Sequence, residues 1–594
     1  MKFLRQKNPP LNYSEEDKRT LYQALLYGYR RAGSDFETAL AYFNRHITWK
    51  RFIEVIDEAA AAMIGRGVKP GDRVTIFTPN IPQSVIALYA INRIGAIANM
   101  VHPLSTTEEA LYAIDLTESK LVFTTELNEE CVSGRDIEVI RCKTGRYFPC
   151  SPRGLFLRAG YGFALRHYGK AHDVKSITDW DAFLKEGKDK LKDGFTLPPD
   201  AGKPEDTAVI MYTGGTTGTS KGVMLSNYAV NTISIQCLYG VGCGTTCVGD
   251  GFLSILPIFH AFGLAITVHA PLISAMKVVL VPRFDPKGCF RQIKREHILF
   301  ISAVPALFER MYPYFEKYNL NKIKLMVSGG DKVSDQLSRK YNDLLIRDYA
   351  NIRFRAGYGL TEASGCVMLS PASENLPPGC IGRPFEGCDF CIVEPGTTTE
   401  VAKGKEGELC FYGPTVMNGY YKNEEATKEV LIKHPDGKTW LHTGDIVAEE
   451  ADGNLTFRSR YKRMIKINGY NVYPILIEEE FQKHPAVKRV CAVSTPWKKD
   501  RKIVLCVVLN EGYNPDTVSD ELLSYGKTHL NRWSQPVRIE VLDDLPMTKF
   551  AKIDYRLLES QEADRAAARR AAEEQAEAEA AAADAAAKPS FLKH

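Results

Sequence analysis

Apolar, strand-like runs alternate with stretches of helical spacing through the first 450 residues of the chain. "DRVTIFTPN" (72–80) reads as a strand ending in a turn, and "IPQSVIALYAINRIGA" (81–96) follows it with apolar residues at helical spacing. "KVVLVP" (277–282), "LFISAVP" (299–305) and "IKLMVSGGD" (323–331) continue the strand series. This alternation predicts an α/β architecture of parallel sheets covered on both faces. In such folds ligands sit at the carboxyl ends of strands. The most apolar stretch, residues 252–282, is interrupted by Pro257, His260, His269, Pro271 and Lys277. It never reaches the roughly 20 uninterrupted apolar residues of a membrane span, so it reads as buried strand, loop and helix.

The texture changes after "DGNLTFRSRYKRM" (452–464). Short strands ("KRVCAVST", "KIVLCVVLN") and helices ("PILIEEEFQKH", "VSDELLSYGKTHL") then predict a small α+β domain. The expected plan is a large domain over 1–459, a boundary at 460–463, a small domain over 464–558 and an Ala/Glu-rich tail over 559–594. Alanine favours helix, so residues 559–587 predict a helix of roughly 40 Å. It lacks an apolar a/d seam and reads as solvated.

Composition narrows the function. Of 594 residues, 44% are hydrophobic and 25% charged, with a net charge of +4, which fits a globular protein and gives no reason to expect a nucleic-acid partner. The amino terminus has no apolar core that could serve as a signal peptide, and fourteen scattered cysteines suit a reducing, cytoplasmic setting. Cys388 and Cys391 form a lone CxxC. No second Cys/His pair lies at zinc-ligand spacing, so they read as two thiols on or beside a strand.

The chemistry begins at "MYTGGTTGTSKGVMLSN" (211–227). Thr213, Gly214, Gly215, Thr216, Thr217, Gly218 and Lys221 combine close backbone approach, hydroxyl donors and one cation, which is what phosphate oxygens need. The nucleoside-triphosphatase pattern GxxxxGKS/T does not fit, because Gly222 follows Lys221. The loop resembles the "YTSGTTGxPKG" signature of the acyl-adenylate-forming superfamily, with Gly214 in place of serine and Ser220 in place of proline. Further motifs of that superfamily occur in order: "LPIFHAFG" (256–263), "SGGDKV" (328–333), "GYGLTEASG" (357–365), "HTGDI" (442–446), "RYKRMIKINGYNVYP" (460–474) and "LPMTKFAKID" (545–554). The similarity runs from about residue 36 to about residue 558 and is strongest to the acyl-CoA synthetases.

That resemblance implies an ATP-dependent ligase that activates a carboxylate as acyl-AMP and passes the acyl group to coenzyme A. It implies a large domain of packed α/β subdomains with a small β-barrel-like part, and a mobile small domain. The loop would hold the β- and γ-phosphates. Thr361 would donate to the α-phosphate, and Glu362 would hold Mg²⁺. Tyr358, with Gly359 beside it, would cover the adenine, and Gly329, Gly330 and Asp331 would line its other side. Asp445 would accept the ribose hydroxyls with help from Arg460. His260 would gate the carboxylate site, and Lys552 would reach the α-phosphate during adenylation. Lys462 matches the hinge, and Lys466 and Gly469 lie on the face that would meet coenzyme A. Arg463 departs from the acidic residue usual beside the hinge, and Ala551 from the usual glycine.

"YTGGTT" and "GYNVYP" look most like fatty-acyl enzymes, which makes a medium- or long-chain fatty acid the leading substrate. Aryl, bile-acid-like and other carboxylates, or delivery to a separate acyl carrier protein, are the alternatives. Residues 141–170 mix Arg and Lys with Tyr and Phe and contain no acid. Such a mixture suits peripheral contact with an anionic membrane surface. A solvated loop whose aromatics pack on the domain beneath is the favoured reading.

Overall fold

A computed structural model of the chain describes residues 18–132, 136–168, 177–200, 202–213, 220–240, 246–372, 376, 379–467, 470–497, 500–547 and 553–587. The predicted strands form over their short apolar runs. Arg73–Phe77, Lys277–Leu280, Ile298–Ala303 and Leu325–Gly329 are all strands, and Pro82–Arg93 is a helix. Each residue of that helix from Pro82 to Asn92 is buried, including the polar Gln83, Ser84 and Asn92. Such a helix must lie inside a large core.

The chain divides into two units, Met1–Thr443 with Ala448–Thr456, and Gly444–Val447 with Phe457–His594. Two sheets organise the first. In one, Ile97–Met100, Arg73–Phe77, Leu121–Thr124, Glu138–Arg141 and Ile177–Asp179 run parallel, with Thr207–Thr213 joining beside Ile97–Met100. In the other, a parallel run leads from Thr38–Tyr42 through Lys277–Leu280, Gly251–Ser254, Ile298–Ala303 and Leu325–Gly329 to Phe354–Leu360. Parallel strands need crossover helices, and these cover both faces. The apolar 252–282 stretch resolves into the strand Gly251–Ser254, a loop, a π-helix over Gly263–His269, a short helix and the strand Lys277–Leu280.

Beyond Phe354–Leu360 the second sheet turns antiparallel through Gly365–Leu369 and Cys380–Pro384. It then continues as Leu455–Arg460, Thr439–Glu449, Glu406–Tyr412 and Asp389–Val393. These strands occupy the place of the expected barrel-like part. Among the described residues no pairing joins the two ends of the sheet, so it is an open antiparallel extension and not a closed barrel.

In the second unit, Val487–Trp497, Asp500–Leu509 and Pro536–Val541 form a small sheet against the helices Pro474–Phe481 and Pro515–His529. The tail helix spans Tyr555–Ala587. Its beginning is docked: Leu558 and Glu562 are buried, and Glu562 is held by Arg538 and Arg569, with Arg569 Nη2 at 2.6 Å.

The basic-aromatic segment is divided. Tyr147, Phe148 and Tyr161 pack inward, Phe148 against Tyr42 and Tyr161. The helix Pro152–Tyr168 leaves Leu155, Phe156 and Phe163 exposed at 68%, 82% and 74%.

Candidate active site

The glycine-rich loop joins two antiparallel strands, Thr207–Thr213 and Lys221–Ser226. Thr213 pairs with Lys221, and Ser220 Oγ donates to the Thr213 carbonyl at 2.8 Å, so both stems of the loop are fixed. Gly214, Gly215, Thr216, Thr217 and Gly218 lie outside the described residues. Lys221 Nζ sits 4.9 Å from the centre of the Tyr420 ring. Tyr420 belongs to the two-residue strand Gly419–Tyr420, which adds to Lys221–Ser226 with Tyr420 opposite Val223.

The Tyr420 hydroxyl donates to Glu362 Oε1 at 2.8 Å. Burial and then the neighbouring Glu362 charge hold the Tyr420 phenol far above its ordinary pKa, so it remains a donor throughout the working pH range. Glu362 is carried on the 3₁₀ turn Thr361–Ala363, which links Phe354–Leu360 to the antiparallel Gly365–Leu369. Ser364 closes that turn in the left-handed region at φ 65° and donates from Oγ to the Thr415 carbonyl at 2.7 Å. The Glu362 carbonyl accepts from Met417 N–H at 2.9 Å. Thr361 and Glu362 are therefore presented by a turn held by two bonds to the segment 415–417, and both are half-buried.

Close backbone approach explains the glycines nearby. Gly329 and Gly357 are directly opposite on adjacent strands, and a Cβ on Gly329 would lie 2.8 Å from the Gly357 carbonyl oxygen. A Cβ on Gly359 would lie 1.5 Å from the Gly365 carbonyl oxygen. Gly330 turns the chain at φ 81°, and Asp331 Oδ1 accepts from Lys332 N–H at 2.8 Å. Tyr358 is half-buried between these glycines. The His260 loop packs on the same place, since a Cβ on Gly365 would be 3.3 Å from Phe262 N. His260 Nδ1 accepts from Phe262 N–H at 3.3 Å, just before the π-helix. Thus the first unit brings Lys221, His260, Gly329–Asp331 and Tyr358–Glu362 to neighbouring strand ends and turns.

In the second unit Asp445 is buried, with Arg460 Nε 3.1 Å from its Oδ1. Tyr461–Arg463 form a 3₁₀ turn. Arg463, the departure beside the hinge position, makes its own partners: Nη1 lies 3.2 Å from Glu478 Oε2, and the guanidinium lies 4.8 Å from the Tyr555 ring centre. Lys466 is exposed on the strand Ile465–Ile467. Gly469, Ala551 and Lys552 lie outside the described residues.

Sequence reasoning missed Tyr420. Its contact to Glu362 spans 58 positions, and "GYY" by itself carries no chemical signal.

A family described as AMP-binding enzyme matches residues 31–421, and the AMP-binding enzyme C-terminal domain matches residues 476–552. A long-chain-fatty-acid–CoA ligase of Bacillus subtilis is 27% identical over 541 residues, covering 89% of this chain and 92% of the relative. One of Escherichia coli O157:H7 is 29% identical over 559 residues, covering 91% and 95%. The crystal structure of ATP-bound MatB from Rhodopseudomonas palustris shares the fold at a TM-score of 0.75 and 21% identity, covering 92% of this chain and 100% of that one.

Proposed function

Because this chain belongs to the AMP-binding enzymes, and among them to the AMP-forming acyl-CoA ligases, we propose that it joins a medium- or long-chain fatty acid to coenzyme A. The observation that supports this substrate is the span of likeness to long-chain-fatty-acid–CoA ligases, 89% of the chain in one case and 91% in another. A carboxylate is a poor acyl donor because its leaving group would be oxide. Attack of the carboxylate oxygen on the α-phosphorus of ATP forms an acyl–phosphate bond and releases pyrophosphate. Attack of the coenzyme A thiol on the acyl carbon then forms the thioester and releases AMP.

The residues divide that work. Lys221 and the loop from Thr213 to Gly218 hold the β- and γ-phosphates, and Thr361 donates to the α-phosphate. Preorganised donors of this kind are usually the largest catalytic term. Glu362 is a half-buried carboxylate with one oxygen oriented by Tyr420, a hard donor that fits Mg²⁺. When bound, that ion supplies charge neutralisation at the phosphates. Tyr358, Gly359 and Gly329–Asp331 enclose the adenine, and Asp445, set by Arg460, accepts from the ribose. His260 borders the carboxylate. Lys552 supplies positive charge to the α-phosphate in the first half-reaction. Lys466 and Gly469 face coenzyme A in the second, after rotation about Lys462.

A panel of saturated fatty acids, aryl acids and bile acids, assayed for AMP formation that depends on coenzyme A, tests the reading. Fatty acids are expected to give the highest kcat/KM. Turnover confined to aryl or bile acids would replace the substrate, and AMP formation only with an acyl carrier protein would replace the acceptor.

A further inference from the structure

The antiparallel extension holds a cluster that the ligase chemistry does not use. Cys391 lies on Asp389–Val393 and Cys410 on Glu406–Tyr412, and the two are directly opposite in the register, so their side chains share one face. Both are free thiols. His442 lies on Thr439–Glu449, and His434 directly follows the strand Leu431–Lys433 that pairs with it. His434 Nε2 is 2.9 Å from His442 Nε2, and His434 Nδ1 is 4.0 Å from Cys391 Sγ. One ligand atom each from Cys410, His434 and His442 lies within 4.8 Å of the others, and all three residues are buried.

We propose that Cys410, His434 and His442, with Cys391 as the fourth ligand, bind a structural zinc ion. Two thiolates and two imidazoles are a zinc donor set, and bonds of about 2.0–2.3 Å in a tetrahedron separate ligand atoms by roughly 3.3–3.8 Å. Closure on an ion needs the two ring nitrogens to spread from 2.9 Å, His434 to turn, and the sulfurs to draw in, Cys391 Sγ from 4.0 Å. The surroundings suit a closed site. Val393 and Trp440 pack with Cys410, and Tyr412 lies against them. A partner also stands behind one ligand: Glu408 Oε2 is 3.2 Å from His442 Nδ1, and Glu408 is itself buried. A carboxylate there fixes the proton on Nδ1 and leaves Nε2 to the metal, the usual arrangement behind a ligating histidine. Cys388, the other half of the CxxC, is not part of the set; its sulfur lies 3.3 Å from Gln236 Nε2.

The competing arrangement is a hydrogen-bonded relay from Glu408 through His442 to His434 with no ion. Untagged full-length protein, purified under reducing conditions from zinc-containing medium, separates the two by elemental analysis. We expect one zinc per chain, retained through dialysis against a weak chelator. Cys410→Ser and His442→Ala should lower zinc content more than tenfold, and Cys391→Ser should speed its loss to chelator. A second readout does not depend on any variant folding. Wild-type protein stripped with a strong chelator and given cobalt should show the intense bands of tetrahedral cobalt with thiolate charge transfer. Folded wild-type protein that carries no zinc, and takes up neither zinc nor cobalt, would overturn the site. Zinc retention unchanged in Cys391→Ser would overturn the fourth ligand.

Discussion

At the residue scale, Tyr420 and His269 show how burial fixes protonation. The Tyr420 phenol cannot ionise beside Glu362, so it can only donate to that carboxylate. Tyr420→Phe removes one charge-assisted hydrogen bond, worth about 1.5–3 kcal/mol, and should slow adenylation roughly 10- to 100-fold. Glu362→Gln should go further and raise the Mg²⁺ concentration needed for half-maximal rate. Pyrophosphate exchange titrated with magnesium checks both, and an unchanged titration for Glu362→Gln would remove it as a metal ligand. His269 is fully buried between the Tyr89 hydroxyl at 2.7 Å and Asn231 Oδ1 at 2.6 Å. Burial lowers its pKa to about 3, well below that of the unfolded chain. Its contribution is therefore complete above about pH 6.5 and is lost as pH falls toward 3, by about 1.4 kcal/mol per unit. Unfolding midpoints measured against pH should fall less steeply below pH 6 for His269→Gln than for the wild type.

At the element scale, the helix Pro152–Tyr168 carries Phe156 and Phe163 seven positions apart, on one face and exposed. Residues 141–170 contain no acid, but Arg141, Lys143 and Arg146 already pair with Glu129, Asp179 and Asp181, so what that face offers a lipid surface is its exposed aromatic pair. We propose peripheral contact there, alongside the inward packing of Tyr147, Phe148 and Tyr161. Phe156→Glu with Phe163→Glu should abolish sedimentation with phosphatidylglycerol vesicles while leaving AMP formation in detergent solution unchanged. Equal sedimentation of variant and wild type would dismiss the contact.

The element scale also shows what the sequence could reveal. Strands such as Ile298–Ala303 were legible as short apolar runs placed between helical segments. "GYG" and "SGGD" were legible only through the resemblance, and the close backbone approach at Gly329, Gly357 and Gly359 gives the physical reason for glycine there. The thiol–imidazole cluster was hidden. Its members come from three separate strands at 391, 410 and 442 and from the position just after a fourth at 434, and only the pairing register brings them together. The open extension was hidden for the same reason, because closure depends on which edges meet. The docking of the tail helix was also missed, since one buried glutamate in an Ala-rich run resembles its solvated neighbours.

At the scale of the whole molecule, the family's two half-reactions place different side chains at one reacting group, with Lys462 as the proposed pivot. Proline fixes φ near −65° and removes an N–H, so Lys462→Pro should hold one arrangement. Pyrophosphate exchange should survive while thioester formation falls at least tenfold. Rates measured on one preparation decide this; a parallel fall in both would dismiss Lys462 as the pivot.

The division of the chain also bears on how the enzyme can be cut and recombined. Gly444–Val447 belong with the second unit although Thr443 and Ala448 on either side belong with the first. A fragment begun at Phe457 would therefore keep Arg460 and leave Asp445 behind, breaking the 3.1 Å pair that joins them. Chimeras that exchange carboxy-terminal segments at this junction graft one parent's arginine onto the other parent's aspartate. The second unit is thus a spatial module without being a linear one, and its exchange between relatives is constrained by a four-residue stitch in the strand before it.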